Sequence, residues 1–304
     1  MRRIIGKNAL ILTGVLFFGT LQAGFPGLTS GYHVRTLALA GAGSVITGVA
    51  SDRLNPAALE TTGRQGNLGW LRYPAGIQAG LLAVVLPGNG RTWSLAVRQL
   101  DYGDFDGYDE DANSTGSYSS SDTWLTVAVA GRPVGFLRWG IAAGIFLSQL
   151  EEYQAAALTV TPGVLVDLER FRLKVGISVR NLGTVIDNYT AVDDDLPTMV
   201  VLGVSRRLAY LPLELTGDVF YRGTGELPGL AVGGVFTLAP GWQLRLGTSA
   251  DKVEQGPGDD VRRDFLAASG LGLSFQGTRF SFDCGGYFYG PGGWVTGAGL
   301  GVAF

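Results

Sequence analysis

Apolar and polar residues alternate with a period of two through most of the chain. The last stretch, 294–304, places bulky apolar side chains on one face, ending with Phe304, and mainly glycine, alanine and valine on the other. The stretches 171–181, 213–222 and 242–251 alternate between apolar and charged or hydroxyl side chains. Successive side chains of a β-strand point to opposite faces, so each stretch predicts a strand with one apolar face.

About fourteen such stretches follow one another from residue 65 onward, bounded by glycine, proline or acidic residues. They are 65–73, 76–86, 91–105, 122–130, 138–151, 155–167, 171–181, 198–208, 213–222, 229–238, 242–251, 264–275, 278–289 and 294–304. Alternation alone also fits a half-buried soluble sheet. The even number, the bulky apolar faces and the terminal aromatic residue favour an all-β fold, a transmembrane antiparallel β-barrel. Its last strand must close on the first, because lipid cannot pair an open sheet edge.

The connections between these stretches differ in length from one end of the barrel to the other. They are short at 87–90, 169–170, 239–241 and 276–277, and long and acidic at 106–121, 182–197 and 252–263. Short turns on the periplasmic side and long loops outside are typical of outer-membrane barrels. We therefore expect a multi-pass barrel in the cell outer membrane, in contact with its lipid, with the long loops on the cell surface.

The first 23 residues resemble a secretory signal peptide. Arg2, Arg3 and Lys7 precede an apolar run at 9–18, which is shorter than the roughly 20 residues of a spanning helix. An uncleaved anchor helix is the alternative interpretation. The sequence predicts a signal peptide at 1–23, a plug or hatch-like segment at 24–64 and the barrel at 65–304.

The hatch-like segment does not alternate cleanly and is rich in small apolar residues. Asp52 is placed to cap a short helix, and Asn55-Pro56 is a turn signal. We expect this segment at the periplasmic mouth of the barrel.

Composition excludes several classes of function. The 304 residues include 48 glycines and only 16% charged residues, with a net charge of −3 and no basic run that would favour nucleic-acid binding. His33 is the only histidine and Cys284 the only cysteine, so a Ser/His/Asp triad, a histidine-rich metal site and an internal disulfide are not expected. We predict neither an enzyme nor a cofactor.

Charges of both signs fall on the faces that we expect to line the lumen. They are Arg98, Arg172, Lys174, Arg180, Glu214, Asp218, Arg245, Asp251, Arg279 and Asp283. They could select an anionic solute, or they could pair with one another across a filled interior. Either way they disfavour a conduit for long-chain fatty acids, which needs an apolar path.

Acidic residues cluster in two of the predicted outside loops, at 101–122 and 187–197. They are Asp104, Asp106, Asp109, Glu110, Asp111, Asp193, Asp194 and Asp195. The first cluster could bind Ca²⁺, although Ser114 and Ser120 stand where an EF-hand loop requires glycine and glutamate. The alternative is a solvated acidic loop. Both loops are candidate surfaces for a protein partner.

The N-terminal segment also matches a known pattern. The matching residues are Arg35, Leu39-Ala40-Gly41-Ala42-Gly43, Asp52 and Asn55-Pro56-Ala57-Ala58-Leu59. Further matches follow at 102–105, 109–110, 116, 121–122, 180–183, 196–197 and 202–205. In this order and spacing the chain resembles the PorV/PorQ family of FadL-like outer-membrane barrels, and it is closer to the PorQ branch. Cys284 stands where that pattern has an aromatic residue.

The resemblance implies a barrel of about fourteen strands and an accessory role in type IX protein secretion, with a surface or secretion-system protein as partner. A second hypothesis is a FadL-like transporter of a small hydrophobic or amphipathic solute, with 55–57 as its gate. A purely structural barrel is the third.

Overall fold

The computed structural model describes residues 25–108, 113–189, 194–222, 228–252 and 266–304. The strands in these ranges are β1 Gln65–Arg72, β2 Gln78–Gly88, β3 Arg91–Tyr108, β4 Ser114–Val134, β5 Leu137–Leu150, β6 Tyr153–Leu168, β7 Leu173–Arg180, β8 Leu182–Asp187, β9 Met199–Arg207, β10 Leu213–Tyr221, β11 Gly229–Ala239, β12 Trp242–Ser249, β13 Ser269–Gln276, β14 Phe280–Phe288 and β15 Trp294–Ala303. The helical elements described are α1, Val34–Ala38, and the 3₁₀ turns Pro26–Leu28, Pro56–Ala58, Pro74–Gly76, Glu169–Phe171 and Gly290–Gly292.

The strands form a closed antiparallel barrel. β1 pairs with β2 on one side and with the last strand, β15, on the other, from Gln65 opposite Ala303 to Arg72 opposite Thr296. β7 and β8 both pair with β6, so they are two parts of one strand, interrupted at Asn181 where φ is 56°. The barrel therefore has fourteen strands. The predicted fold class and strand number are confirmed.

The connections follow the expected asymmetry. At the end where the chain enters β1 they are 89–90, 135–136, 169–172, 208–212, 240–241 and 277–279, and the longest connections, 188–198 and 250–268, lie at the other end. We assign the short-turn end as periplasmic.

One predicted loop is largely a strand pair. β3 and β4 remain paired from Arg91 opposite Gly131 out to Gly107 opposite Gly116, beyond Asp101, which is the last residue of β3 that pairs with β2. We call residues 102–108 and 114–119 the β3–β4 ribbon. Its serine, glycine and aspartate content predicts a loop, but cross-strand pairs such as Phe105 stacked on Tyr118, with ring centroids 5.4 Å apart, favour a hairpin.

The outer face of the barrel is apolar. Large side chains that point away from the lumen, such as Trp70, Leu202 and Leu246, are 49%, 53% and 50% exposed. A row of exposed apolar side chains around a closed barrel is the surface that lipid requires. The chain is therefore a multi-pass outer-membrane β-barrel.

Residues 25–64, which we call the hatch, fill the interior. At the outer end Phe25 packs edge-on against Phe146 of β5, with ring centroids 5.7 Å apart. At the periplasmic end Arg138 of β5 donates a hydrogen bond to the carbonyl oxygen of Leu59 at 3.0 Å. The hatch lies at the periplasmic mouth and continues up the lumen.

Glycines in the wall make room for the hatch. A Cβ atom built on Gly140 of β5 would lie 2.5 Å from the carbonyl oxygen of Pro56, and one on Gly247 of β12 would lie 2.5 Å from the Cα of Leu39. Backbone atoms cannot move away from an added methyl group, whereas the tip of a flexible side chain can. Part of the high glycine content is therefore a consequence of a backbone packed directly against the inner wall.

Gly247→Ala should displace the hatch, because the added methyl group overlaps its backbone, and overpacking of this kind costs about 1–3 kcal/mol. We expect limited trypsin digestion to cleave after Arg53 faster in this variant than in the wild type. Gly80→Ala is the matched control, since a Cβ there meets no atom within 4 Å. Equal cleavage rates in the two variants would show that Gly247 is not constrained by the hatch.

Candidate functional site

A buried ion pair joins the hatch to the wall. Nη2 of Arg98, in β3, lies 2.5 Å from Oδ2 of Asp52, and the two side chains are 3% and 4% exposed. Arg98 also donates to the hydroxyl of Thr126 at 2.7 Å and lies over the ring of Trp124. A buried arginine needs such partners, because removal from water is costly for an unpaired charge.

Two carboxylates on other strands of the wall also hold the hatch. Nε of Arg35, at the start of α1, lies 2.7 Å from Oδ1 of Asp283 in β14. Oδ2 of Asp218 in β10 accepts a hydrogen bond from the backbone N–H of Ser44 at 2.8 Å. The hatch is thus bound to several strands around the barrel.

The Asn55-Pro56-Ala57 motif is a turn fixed on the wall. Oδ1 of Asn55 accepts a hydrogen bond from the N–H of Ala57 at 3.0 Å and caps the 3₁₀ turn. The preceding carbonyl, that of Leu54, accepts from Oγ of Ser178 at 2.8 Å and from Nε of Arg180 at 2.9 Å. The motif's geometry anchors the middle of the hatch to β7.

The other motif glycines form the turn that follows α1. Gly41 and Gly43 have φ values of 86° and 106°, which favour glycine over other residues. This turn lets the backbone pass from α1 toward Ser44 and its contact with Asp218.

The predicted lumen charges divide into three groups. Arg98, Lys174, Arg180, Asp218, Arg245 and Asp283 are buried inside the barrel. Glu214 is partly buried and pairs with Arg207 at 3.2 Å, and Asp251 lines a cavity at the outer end. Arg172 and Arg279 are exposed in periplasmic turns, because the chain reverses there before the alternation begins.

The structure also shows how the buried charges are paired. Arg98, Asp218 and Asp283 each meet a group of the hatch, and the Lys174 ammonium donates to the hydroxyl of Thr47 at 3.3 Å. Arg245 donates within the wall, to Ser274 and Gln243. Pairing across the lumen was one of the two expectations, whereas most of these partners come from the hatch.

Two further wall residues that contact the hatch were not among the predicted lumen charges. Asp122, predicted both as the first residue of a strand and as the end of the candidate loop surface 101–122, is buried and accepts from the Tyr102 hydroxyl at 2.7 Å and the Gly27 N–H at 3.1 Å. Arg138 donates to the Ala57 carbonyl at 3.0 Å and to Glu60 at 2.9 Å. Arg138 begins a predicted strand. Because the next residue, Trp139, has a bulky apolar side chain that belongs on the outer face, alternation could have placed Arg138 on the inner face.

Two of the acidic loop residues, Asp104 and Asp106, are exposed on the β3–β4 ribbon. Asp195 is also exposed, and the backbone N–H of Asp194 donates to Asn188. Asp109, Glu110, Asp111 and Asp193 lie outside the described residues. Within the described ranges, no three His, Cys, Asp or Glu side chains are grouped to hold a metal ion.

His33 has a structural position at the N-terminus of α1. Its Nδ1 accepts a hydrogen bond from the N–H of Arg35 at 3.1 Å. Burial, together with the charge of Arg35, lowers the pKa of His33 to about 4. The imidazole is therefore neutral at neutral pH and free to act as this cap.

A cavity of about 290 Å³ lies between the hatch and the wall. Its apolar lining includes Leu37, Met199, Phe220 and Tyr287, and its polar lining includes Arg53, Arg180 and Asp251. Polar side chains make up about as much of the lining as apolar ones, so the cavity can contact both parts of a small amphipathic molecule. Leu54, which precedes the Asn55-Pro56-Ala57 turn of the hatch, is part of this lining.

No family model and no curated protein matches the chain. Among solved structures, it is similar to the toluene transporter TbuX of Ralstonia pickettii, with 11% identity over 90% of this chain and 97% of that one and a TM-score of 0.58. The Pseudomonas putida toluene transporter TodX is 11% identical over 93% and 99% of the two chains, with a TM-score of 0.60. The CymD monoaromatic hydrocarbon channel is 14% identical over 90% and 98%, with a TM-score of 0.60.

These likenesses show the fold, a closed barrel similar to those of the three transport proteins. The assignment to the PorV/PorQ family remains a prediction. Within the described residues, none of the helices has the length and apolar character needed to cross a membrane.

Arg98→Met should be strongly destabilising, because it leaves the Asp52 carboxylate buried without its partner, at a cost of about 3–5 kcal/mol. We expect the double variant Arg98→Met/Asp52→Leu to recover most of this loss. The free energy of unfolding can be measured by urea titration in lipid vesicles, followed by tryptophan fluorescence. If the two substitutions are simply additive, the ion pair does not hold the hatch.

Proposed function

We propose that this barrel is an outer-membrane channel for a small hydrophobic or amphipathic solute, and that the hatch is its internal gate. The observation that carries the proposal is the lumen cavity, whose lining comes from both the hatch and the wall. Its position between the outer end and the Leu54–Ala57 turn gives a solute a place to bind before the gate. The similar solved structures are named as transporters and channels for toluene and monoaromatic hydrocarbons, which supports a solute of this kind.

The wall and the hatch are held by different kinds of contact, and this difference supports gating. β1 pairs with β15 along its length, so the wall is closed by its own hydrogen bonds. The hatch contacts the wall through side chains, by ion pairs such as those at Asp52 and Asp283 and by apolar packing such as that of Phe25 on Phe146. A shift of the hatch exchanges these side-chain contacts and leaves the backbone pairs of the wall intact, whereas opening the wall in lipid would expose backbone groups. Movement of the hatch is therefore the less costly way to open a path.

The size and the charges of the lumen limit the solute. A volume of about 290 Å³ suits a single ring with a short substituent. The buried charges below the cavity, Arg98 and Asp52 among them, interrupt any continuous apolar path. These features disfavour a long-chain fatty acid.

A second candidate function is the attachment of a surface or secretion-system protein, which the PorV/PorQ resemblance implies. The β3–β4 ribbon favours it, because it extends beyond the neighbouring strands and exposes Asp104, Asp106 and the 41%-exposed Phe105. Exposed aromatic residues beside charged ones are common at protein interfaces.

A reversible cross-link tests the gate. A Cβ atom on Gly233 of β11 would lie 3.5 Å from the Cβ of Leu39, a distance within the range of disulfides. We expect Leu39→Cys/Gly233→Cys, in a Cys284→Ala background, to abolish uptake of radiolabelled toluene and benzoate when oxidised and to regain it on reduction. Each single cysteine variant serves as a control. Uptake that continues through the oxidised protein would rule out the hatch as a gate, and no uptake by the wild type would leave the structural barrel as the better interpretation.

Removal of the ribbon tests the second candidate. Replacement of 104–119 by an Asn-Gly turn should leave the barrel folded, as judged by its heat-dependent mobility in detergent gels. If the ribbon binds a partner, the protein that co-purifies with the wild type from its own outer membrane should be lost. A partner that stays bound to the shortened barrel contradicts this function for the ribbon.

A further inference from the structure

Two arginines line the lumen cavity without a carboxylate in contact. Arg180 lies on β7 and is 8% exposed, and Arg53 lies on the hatch. Neither forms an ion pair with a described acidic side chain within 4 Å, unlike Arg35, Arg98 and Arg138. The cavity thus brings together two positive charges, one on the wall at Arg180 and one on the hatch at Arg53.

The hydrogen bonds of these guanidinium groups are incomplete. Nε of Arg180 donates to the Leu54 carbonyl, but its Nη2 has no acceptor among the described protein atoms. Nη2 of Arg53 is 3.4 Å from the Leu28 carbonyl oxygen, and its Nε also has no acceptor there. Buried charged groups are normally paired and fully hydrogen-bonded, because an unpaired charge away from water is costly.

The remaining surroundings neutralise the pair only in part. Asp218 attracts Arg180 from beyond ion-pair distance while its Oδ2 accepts from the Ser44 N–H, and Asp52 is paired with Arg98. Asp251 and Arg222 also line the cavity, nearer the outer end, and their charges cancel each other. The inner part of the cavity therefore keeps an excess of positive charge.

Aromatic groups complete the site. The guanidinium of Arg180 lies over the ring of Phe220, 5.7 Å from its centroid, and that of Arg53 lies over Tyr32 at 5.8 Å. Tyr287 lines the same cavity and meets Tyr289 edge-on. A ring bound here would lie among apolar and aromatic side chains, with cationic donors beside it.

We propose that this cavity binds a small aromatic carboxylate, with its carboxylate on the free N–H groups of Arg180 and Arg53 and its ring toward Phe220 and Tyr287. This inference rests on the proposed channel function and names the chemical class of its solute. A planar carboxylate matches the guanidinium fork. An engineered apolar cavity of about 150 Å³ holds benzene, so about 290 Å³ accommodates a ring with a carboxylate on a short stem.

Calorimetric titration of the intact barrel in detergent at pH 7.5 tests the inference, with benzoate, benzamide and toluene as probes. Benzoate should bind more tightly than its neutral analogue benzamide. Arg180→Gln and Arg53→Gln should each weaken benzoate at least about tenfold, because each removes a charge-assisted hydrogen bond. Toluene affinity should be unchanged in both variants, which also shows that the cavity remains folded. Arg245→Gln is the matched control, since Arg245 is buried in the lumen but does not line this cavity.

Equal affinities for benzoate and benzamide would overturn the inference, as would benzoate binding that survives both substitutions. Toluene binding with no preference for benzoate would leave the channel proposal standing and refute only the carboxylate class. If none of the three probes binds, the cavity is not a solute site and the proposed function fails with it.

Discussion

A strand in lipid must have all of its backbone N–H and C=O groups paired, and this constraint determines the rest of the molecule. The closure of β15 on β1 satisfies it, so the wall needs no help from the interior. The outer face must then be apolar, and Trp70 and Leu202 are examples of side chains exposed to lipid. The inner face does not contact lipid, so it can carry glycines and charges and can enclose a separate segment of the chain.

The hatch explains what the inner face carries. Glycines such as Gly140 and Gly247 leave room for its backbone, and wall charges such as Arg98 and Asp283 meet partners on it. The hatch is held by side-chain contacts, both polar and apolar, whereas the wall is held by backbone hydrogen bonds that lipid does not allow to break. The hatch is therefore a separate segment inside a barrel that is closed by its own strand pairs, and its movement as a gate is what we propose. Arg53 and Arg180 differ from these paired charges, because they line a cavity and form no ion pair with a described acidic side chain.

The alternation of residues predicts most of the wall, since the period of a strand and the need for an apolar outer face are both local. The β3–β4 ribbon was expected as a loop because its composition favours turns, while the cross-strand contacts of Phe105 and Tyr118 appear only when both strands are in place. Arg172 was expected in the lumen, and it lies in a turn because the chain reverses after Phe171. Alternation placed Arg98 on the inner face, and Asp52 was expected to cap a short helix. Neither pattern could show that the two residues pair, because which of several opposite charges meet depends on the path of the hatch.

Ion conductance of the intact protein in a planar lipid bilayer tests most directly whether the hatch closes this barrel. A lumen filled by residues 25–64, with its charges bound to the wall, should show no steady conductance at neutral pH. Brief openings are compatible with a moving gate. A large and steady conductance in the wild-type protein would mean that the hatch does not occupy the lumen, and it would contradict the account of the gate and of the cavity together.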